Sequence, residues 1–370
     1  MRILYFTRDY TPHDHRFLSS LAATEHQVFS LRLERQGVQR EDRPLPPQIT
    51  QVVWKGGREP FQWRRLPALM ADFRRVLDEV KPDLVHAGPV PNVAFLAALS
   101  GFRPLVSMSW GSDLLKDVES SRWQRWAAAY ALMRTSVLLG DCQAVKDKAV
   151  RMGFPARRVV IFPWGVDLNR FSPGPAGERR ARLGWEDAFV MLSLRSWEAV
   201  YGVDVVVKGF ARAAQKLPEL RLLLLGNGSL APMVHRLVNE QHLEQVVYFG
   251  GLVNNSELEG LYRSADLYLS ASHSDGSSVS LIEALACGKP VLVSAIPGNV
   301  EWVQPGSQGW LFPDGDDHAL AEGILKAASQ RDQLPQMGAA ARKLAEERAD
   351  WDTNFKKLLE GYRMALQPVK

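Results

Sequence analysis

Residues 267–291 decide the fold, and they read Leu-Tyr-Leu-Ser-Ala-Ser-His-Ser-Asp-Gly-Ser-Ser-Val-Ser-Leu-Ile-Glu-Ala-Leu-Ala-Cys-Gly-Lys-Pro-Val. The apolar run Leu267–Ser270 predicts a strand, the small residues after it predict a loop, and a helix then ends at Gly288. Pro290 cannot continue that helix and opens the next apolar run, Pro290–Val293. A buried strand, a helix and another buried strand in succession predict a parallel sheet covered by helices on both faces.

Strands of this kind recur along the whole chain, with helical patterns between them. Near-continuous apolar runs predict strands at Ile3–Phe6, Val28–Leu31, Leu84–His86, Leu105–Trp110, Val137–Leu139, Val159–Phe162, Phe189–Leu194, Leu222–Leu225 and Val246–Phe249. Helical periodicity predicts helices over Leu66–Val80 and Val93–Ser100, and over most of residues 320–366. The sequence therefore predicts an α/β protein.

Domain organisation follows from a break in this series. Phe171-Ser-Pro-Gly-Pro-Ala-Gly177 suits neither a helix nor a strand, and 370 residues suffice for two ordinary cores. We predict two Rossmann-like doubly wound domains, residues 1–165 and 166–350, that face a central cleft, with a C-terminal helix over 351–370 packing back on the first. Ligands bind beyond the carboxyl ends of the strands in such sheets, so the cleft is the predicted site.

Composition excludes several classes of protein. A hydrophobic fraction of 46% and a charged fraction of 23% are typical of a globular chain and not of a disordered one. No stretch approaches the roughly 20 apolar residues of a membrane span, and the first residues lack the pattern of a secretory signal. Cys142 and Cys287 match no metal or redox spacing. We therefore expect a cytoplasmic protein.

Charge is distributed unevenly between the two halves. Residues 1–160 carry 24 Lys and Arg against 16 Asp and Glu, whereas the remaining residues carry 21 against 25. A basic first half predicts that this side binds an anionic surface or a phosphate-bearing partner. The alternative is that the charges are merely distributed unevenly over the protein's own surface. We expect no nucleic-acid partner.

The loop before the helix of the quoted stretch carries groups that suit a phosphorylated sugar. Backbone N–H groups at a helix start have no partner within the helix and therefore favour anions. In this chain the N–H groups in question are those of Gly276, Ser277, Ser278 and Val279. The carboxylates of Asp275 and Glu283 can accept hydrogen bonds from sugar hydroxyls. Alternatively, Asp275 and the serines serve only as helix caps.

The same segment resembles the signature of glycosyltransferase family 4, whose members are retaining enzymes with the GT-B fold. In that signature a Glu, seven residues and a second Glu precede Ala-x-Ala-x-Gly-x-Pro-Val, and this chain has Asp275 at the first position and Glu283 at the second. The resemblance implies that Asp275 contacts the transferred sugar and that Glu283 contacts the ribose of the donor. Phe162-Pro-Trp-Gly-Val-Asp-Leu-Asn-Arg-Phe-Ser-Pro is similar to the family's Asn-Gly-Val-Asp element, with Trp164 in place of Asn.

Only one of the family's two phosphate-binding cations is present in this chain. Arg195 matches the family's Arg, whose guanidinium suits a diphosphate. Tyr201 stands where the family has Lys, and a phenol donates one hydrogen bond but brings no charge. Three explanations stay open: another cation substitutes, the phosphate contacts differ, or the donor binds in an unusual way.

Further donor contacts are implied at two strand ends. Gly226, Asn227 and Gly228 follow an apolar strand, and glycines there let the backbone approach a ligand closely. The resemblance also places backbone contacts to the nucleobase at Leu252 and Val253.

The first domain matches the family less well. Trp110 stands where the family has a histidine, although Gly111 and Asp113 are kept, and the family's Gly-Gly loop after the first strand is absent. Candidates for the acceptor or phosphate side are instead His13, Asp14, His15, Arg16, His86, Trp110, Gly111 and Asp113. Capping by Asp14 and a structural role for His86 are the alternatives. His13 and His15 lack a third ligand at useful spacing, so we expect no metal.

The resemblance implies a retaining transferase of the cell-wall, polysaccharide or glycolipid type. It would move a hexose-type sugar from a UDP- or GDP-sugar to a hydroxyl of a glycan or lipid-linked acceptor, without a metal or other cofactor. Asp275, Arg195 and Glu283 are the implied catalytic residues. One alternative is an inactive GT-B binding or regulatory protein, which Trp110 and Tyr201 favour. The other is a different GT-B enzyme, such as a nucleotide-sugar epimerase.

Basic and aromatic segments in the first half suggest a membrane surface. They are Arg122-Trp-Gln-Arg-Trp126 with the apolar residues after it, Trp54-Lys-Gly-Gly-Arg58 and Phe61-Gln-Trp-Arg-Arg65. Helices of Arg, Lys and Trp can lie on anionic membranes, which predicts peripheral contact at the inner face of the membrane. The alternative is that these tryptophans belong to the core. The sequence predicts no oligomeric state.

Overall fold

The computed structural model describes residues 1–34, 41–56 and 62–367, without the side chain of Trp63. It divides into two compact units: unit 1 is Met1–Phe162 with Thr353–Lys370, and unit 2 is Pro163–Asp352. The predicted boundaries, after residues 165 and 350, lie close to these.

Unit 1 is built on a parallel sheet. Within the described residues its strands are β1 Arg2–Thr7, β2 Gln27–Arg32, β3 Thr50–Gln51, β4 Leu84–Gly88, β5 Leu105–Met108, β6 Val137–Gly140 and β7 Val159–Ile161. Their order across the sheet is β3-β2-β1-β4-β5-β6-β7, and every neighbouring pair is parallel.

Unit 2 contains a second parallel sheet. Its strands are β8 Phe189–Leu194, β9 Leu220–Leu225, β10 Val247–Gly251, β11 Leu267–Ser270, β12 Val291–Ser294 and β13 Gly309–Phe312. The order is β10-β9-β8-β11-β12-β13, again with parallel neighbours throughout.

Both strand orders are those of a doubly wound Rossmann sheet, with β7 added at the edge of the first. The winding direction reverses between β1 and β4 in unit 1 and between β8 and β11 in unit 2. Ligands of such sheets bind at the carboxyl ends of the strands beside this reversal. The predicted fold class, two Rossmann-like α/β units of GT-B type, is confirmed.

Helices cover the sheets of both units. In unit 1 and its C-terminal segment they are Pro12–Ala22, Leu66–Val80, Phe95–Leu99, Val118–Ser120, Arg122–Arg134, Gln143–Arg151 and Trp351–Leu366, with π-helical turns at Val90–Ala94 and Asp113–Asp117. In unit 2 they are Arg179–Leu183, Val203–Ala214, Ala231–Glu240, Leu258–Ser264, Val279–Ala286, Pro297–Val300, Asp317–Ser329 and Leu334–Arg348. Short 3₁₀ turns lie at Trp63–Arg65, Ala156–Arg158, Ala199–Tyr201, Asn255–Glu257 and Arg331–Gln333. Within the described part of the chain, none of these helices combines the length and apolar character needed to cross a bilayer.

Several predicted bounds were wrong. β5 ends at Met108 and not at Trp110, because the chain turns there into the loop that Asp113 holds. The predicted helix Val93–Ser100 is a π-helical turn followed by the short helix Phe95–Leu99. β3 and β13 were missed. β3 consists of two exposed polar residues and has no apolar pattern, whereas β13 contains the apolar run Trp310–Phe312, which was an available signal.

The Pro/Gly segment 171–177, which breaks the series of predicted strands, belongs to unit 2. Phe171 is 3% exposed and packs in the core of unit 2, with its ring 6.1 Å from that of Tyr262. Arg263 fixes the same segment by donating through Nε to the carbonyl oxygen of Ser172 at 2.9 Å. The division between units falls instead at Phe162 and Pro163.

The three basic and aromatic segments have different environments. Trp54 lies in the core of unit 1 and donates through Nε1 to the carbonyl of Arg32 at 2.7 Å, so a membrane role for it is wrong. Arg58 and Phe61 lie outside the described residues. Trp123 and Trp126 are exposed, so the alternative that they are core residues is wrong as well.

Candidate functional site

The centre of the site in unit 2 is an ion pair between two adjacent strand ends. Arg195 directly follows β8, and Asp275 lies in the loop after β11. These strands are neighbours at the winding reversal, so residues 80 positions apart in sequence meet. Arg195 Nη2 donates to Asp275 Oδ2 at 2.6 Å, with the side chains only 12% and 17% exposed.

Two serines at the start of helix Val279–Ala286 hold the other guanidinium nitrogen. Arg195 Nη1 donates to Ser278 Oγ at 2.5 Å and to Ser280 Oγ at 3.0 Å. Ser280 Oγ is also within 2.7 Å of the hydroxyl of Tyr268, a residue of β11. Among the described residues, Arg195 Nε finds no hydrogen-bond acceptor although it is buried. A buried donor of this kind normally has a partner.

Tyr201 supports the guanidinium from one face. Arg195 Cζ lies 4.1 Å from the centre of the Tyr201 ring, which is a cation–π contact. Gly202 allows this loop to approach β11, because its φ is +58° and a Cβ there would lie 2.1 Å from the carbonyl oxygen of Ala271. Burial alone would lower the pKa of Arg195, but Asp275 and the tyrosines raise it above its ordinary value, and the guanidinium stays charged.

The glycine-rich end of β9 packs against the loop that carries Arg195. A Cβ at Gly226, whose φ is +125°, would lie 2.1 Å from the carbonyl oxygen of Arg195. A Cβ at Gly228 would lie 2.5 Å from the carbonyl oxygen of Trp197, and the Asn227 carbonyl accepts from Trp197 N–H at 2.9 Å. In this structure the glycines permit close approach to the protein's own backbone, which positions Arg195.

The helix that begins at Val279 carries the second carboxylate of the signature. Glu283 is 6% exposed, and its Oε2 accepts from the hydroxyl of Tyr262 at 2.8 Å. Burial, followed by the charge of Glu283, raises the pKa of Tyr262 well above its ordinary value, so the phenol remains a donor.

The loop before this helix is held from both sides. Asp275 Oδ1 accepts from the Gly276 N–H at 3.0 Å, and Ser277 Oγ accepts from Trp302 Nε1 at 3.0 Å. Gly298 packs so closely that a Cβ on it would lie 2.2 Å from the Gly276 carbonyl oxygen. The loop backbone is therefore fixed where it enters the helix.

The predicted base-binding residues line a separate small pocket. Leu252 is 79% exposed, and Val253 is partly buried beside it. The pocket measures about 100 Å³, and its walls are Arg179, Leu225, Tyr248, Gly250, Leu252, Val253, Asn254, Glu257 and Leu261. Arg179 was not predicted, and it pairs with Glu257 at 3.3 Å.

In unit 1 the polar residues after β1 form a helix start. Asp14 is 1% exposed and closes a capping box with Thr11, whose N–H and hydroxyl donate to Oδ2 at 2.9 and 2.6 Å. Tyr5 donates to Oδ1 at 3.0 Å. Asp14 therefore holds the helix start. His15 Nδ1 lies 2.7 Å from the Tyr10 hydroxyl, and burial lowers the pKa of His15.

His13 and Trp110 come together near the end of β5. Their ring centres are 5.7 Å apart, and both side chains are partly exposed. Arg16, one turn after His13 on the same helix, is also partly exposed.

Asp113 holds the loop that carries Trp110. Its Oδ1 accepts from the Ser109 hydroxyl at 2.6 Å and from the Trp110 N–H at 2.9 Å, and its Oδ2 accepts from the Val90 N–H at 2.8 Å. Burial raises the pKa of Asp113 to about 6. Gly111, with φ +86°, provides the turn between Trp110 and Asp113.

His86 is an interior residue of unit 1. It is 2% exposed, its Nδ1 lies 2.6 Å from the hydroxyl of Tyr362 in the C-terminal helix, and burial lowers its pKa to about 3. This neutral imidazole ties the helix Trp351–Leu366 to β4.

The structure thus joins Arg195, Asp275, Ser278 and Tyr201 in one cluster. Sequence reasoning missed Ser280, Tyr268 and Tyr262, which support that cluster and Glu283. The pair Ser278-x-Ser280 at a helix start was the available signal. Across residues 1–34, 41–56 and 62–367, no three His, Cys, Asp or Glu side chains group as metal ligands.

Comparison with known families identifies both halves of the chain. The family model described as "Glycosyltransferase Family 4" matches residues 13–170, and the model "Glycosyl transferases group 1" matches residues 177–344. The second of these matches lies within unit 2, and the first lies within unit 1 except for residues 163–170.

Individual proteins and a solved structure are also similar to this chain. A D-inositol 3-phosphate glycosyltransferase of Thermobispora bispora is 31% identical over 58% of this chain and 52% of its own, so the match spans about half of that relative. A GDP-mannose-dependent α-(1-6)-phosphatidylinositol monomannoside mannosyltransferase of Mycolicibacterium smegmatis is 23% identical over 81% of this chain and 82% of its own. The crystal structure of Anabaena HepE with UDP-glucose superposes with a TM-score of 0.79, at 20% identity, over 98% of this chain and 99% of that one.

Proposed function

Because the chain belongs to glycosyltransferase family 4, we propose that it transfers a hexose-type sugar from a UDP- or GDP-sugar to a hydroxyl of a glycan or lipid-linked acceptor. Retention of configuration and independence from metals and other cofactors are part of the proposal. The observation that carries it is the buried cluster in which Arg195, Asp275 and the start of helix Val279–Ala286 converge at adjacent strand ends.

The cluster offers what a leaving diphosphate requires. Arg195 is held charged by its surroundings, and its Nε is buried without an acceptor among the described residues. The Gly276 N–H already donates to Asp275, but the N–H groups of Ser278 and Val279 and the helix dipole behind them would add donors and positive potential at the same place. Such fixed donors stabilise the charge that develops on the leaving group without costly reorganisation.

The proposed step transfers the sugar on one face. The bond from the anomeric carbon to the leaving phosphate oxygen breaks, and its electron pair remains on the diphosphate. The acceptor hydroxyl oxygen bonds to the anomeric carbon from that same face, and its proton passes to the leaving phosphate oxygen. Asp275 positions the sugar: its carboxylate has acceptor capacity left beyond its bonds to Arg195 and Gly276.

Glu283 is proposed to contact the donor ribose, oriented by the hydroxyl of Tyr262. Leu252 and Val253 would offer backbone groups to the nucleobase from the small pocket beside them. The name of the mycobacterial relative supports a GDP-sugar and a lipid acceptor, and the HepE complex supports a UDP-sugar.

On the acceptor side, the partly exposed residues of unit 1 remain the candidates. They are His13, His15, Arg16 and Trp110. Asp14, Asp113 and His86 are buried and bonded within the protein, so we propose that they act by holding the helix start, the Trp110 loop and the C-terminal helix.

The test is a donor screen on the purified full chain. Thermal stability and nucleoside-diphosphate release are measured with UDP-, GDP- and ADP-sugars in the presence of EDTA, and the anomeric configuration of the product is read by NMR. Stabilisation by one nucleotide class with release of its diphosphate and a retained anomer supports the proposal. Turnover that requires a divalent ion overturns the proposed metal independence, and an inverted anomer overturns the proposed retention of configuration.

An inactive nucleotide-binding relative is the second candidate, because Tyr201 brings no charge where the family has Lys. It predicts thermal stabilisation by a nucleotide without diphosphate release for any donor and acceptor combination.

A further inference from the structure

The helix Arg122–Arg134 exposes large apolar side chains to solvent. Trp123 is 43% exposed, Trp126 is 49% exposed and Met133 is 70% exposed. The other large apolar residues exposed in the described part of the chain are scattered: Val53, Val150, Leu252, Val300 and Leu366. The three exposed residues on this 13-residue helix therefore form an apolar patch, unlike the scattered single residues elsewhere.

The opposite face of this helix already serves the core. Ala127, Ala128, Ala131 and Leu132 are buried in the core of unit 1. Alanines and Leu132 therefore make the core contact on this face, and the aromatic residues reach the core through Phe95.

The side chains of Trp123, Trp126 and Tyr130 contact one another on the outer face of the helix, and we call these three residues the aromatic ledge. The Trp123 and Trp126 ring centres are 4.8 Å apart, and those of Trp126 and Tyr130 are 5.7 Å apart. Buried Phe95 lies beneath all three, with ring centres at 5.6 to 5.8 Å. Rings held in this way lose little further conformational entropy when a surface covers them.

Cationic side chains border the ledge. Arg122 is exposed on the same helix, and the Arg134 guanidinium lies 5.4 Å from the Tyr130 ring centre. Arg125 is exposed as well, but it is paired with Glu119. Tryptophan and tyrosine rings favour the level of the lipid headgroups, and neighbouring arginines favour anionic lipids. A two-fold pair of these faces would instead bring arginines against arginines, which disfavours a second copy of the chain as the occupant.

We propose that the outer face of helix Arg122–Arg134 lies in the headgroup region of an anionic lipid bilayer and attaches the protein to it peripherally. The aromatic ledge supplies apolar contact, and the arginines supply attraction to the anionic headgroups. This proposal does not depend on the transfer reaction.

Flotation of the full chain with vesicles tests the proposal. The wild type should float with mixed phosphatidylglycerol and phosphatidylcholine vesicles at low salt, and much less with phosphatidylcholine alone. The double variant Trp123→Ser/Trp126→Ser should bind at least about tenfold more weakly, since two large apolar contacts are lost. Arg122→Gln should bind about fivefold more weakly, as expected for one cation near an anionic surface.

Val300→Ser is the matched control, because Val300 is 52% exposed and lies in unit 2; it should float like the wild type. Arg122→Gln and Val300→Ser should keep the wild-type melting temperature, since the replaced side chains are exposed. The double variant loses ring contacts with Phe95, so it should melt at a lower temperature but remain folded at the temperature of the flotation assay. Flotation of the double variant equal to that of the wild type overturns the proposal. So does a wild-type dimer in light scattering that the double variant dissociates, with no vesicle binding, because a second copy would then occupy the face.

Discussion

The guanidinium of Arg195 lies 4.1 Å above the ring centre of Tyr201. At this position the family pattern has a lysine, which would place a second cation beside Arg195. Here the aromatic ring instead fixes the one arginine, together with Asp275, Ser278 and Ser280. Tyr201 thus has a role that does not require a hydrogen bond to phosphate.

Replacing Tyr201 distinguishes these two roles. Tyr201→Phe keeps the aromatic face and should leave the Kd of the donor nucleotide within about twofold of wild type, whereas Tyr201→Leu should weaken binding about tenfold. Isothermal titration with the nucleotide identified in the donor screen measures both. If the phenolic hydroxyl itself binds phosphate, the Phe variant will lose as much affinity as the Leu variant.

Replacement of Asp275 should separate binding from chemistry. Asp275→Asn removes the charge that is proposed to position the sugar, so kcat should fall at least about 100-fold. Nucleotide affinity should not weaken, since Arg195 loses its ion-pair partner and the diphosphate then faces less competition for it. Steady-state rates and nucleotide Kd are measured beside Asp332→Asn, an exposed control in the same unit. Unchanged turnover of Asp275→Asn would remove Asp275 from the mechanism.

Gly226→Ala should displace the loop that carries Arg195. An added Cβ meets the Arg195 carbonyl oxygen at 2.1 Å, and a φ of +125° is unfavourable for alanine. We expect a lower melting temperature together with donor binding weakened at least about tenfold, since a displacement of this size moves Arg195.

The control for the glycine variant is Gly177→Ala. Gly177 also has a positive φ, +68°, but a Cβ there meets nothing within 4 Å. It should therefore cost stability, by about 1 kcal/mol, without changing donor affinity. Equal loss of donor affinity in both variants would show that backbone strain, and not the contact with Arg195, is responsible.

The titration of Asp113 makes the stability of unit 1 depend on pH. Its pKa rises from an ordinary value near 3.8 to about 6 on folding, so the folded state holds the proton more tightly than the unfolded state. The contribution of Asp113 to stability is therefore fully present at low pH and decreases as pH rises through this window. Asp113→Asn does not titrate, so its cost should be larger at low pH than at neutral pH, by on the order of 2 kcal/mol.

Melting temperatures of wild type and Asp113→Asn below pH 5 and above pH 7 measure this difference. Ser109→Ala is the comparison, because it removes the donor that bonds Asp113 Oδ1 at 2.6 Å but keeps the carboxylate. That bond favours the ionised form, so the cost of Ser109→Ala should grow as pH rises. A cost of Asp113→Asn that also grows with pH would contradict the raised pKa.

The sequence by itself determined the fold class and predicted that Arg195 and Asp275 follow strands of one sheet. Apolar runs and the loops that end them are local patterns, and in a doubly wound sheet every parallel strand presents its carboxyl end to the same edge. Arg195 after one strand and Asp275 after another were thereby expected at a common edge, 80 residues apart in sequence.

Only the tertiary structure decided what each of these side chains touches. Gly226 and Tyr201 contact Arg195, whereas their sequence patterns fit direct ligand contacts equally well. Trp54 is buried and Trp126 is exposed, although both occur in similar basic and aromatic segments. The physical reason is that periodicity records only neighbours one or two turns away, while burial and side-chain partners depend on which distant elements pack against each face.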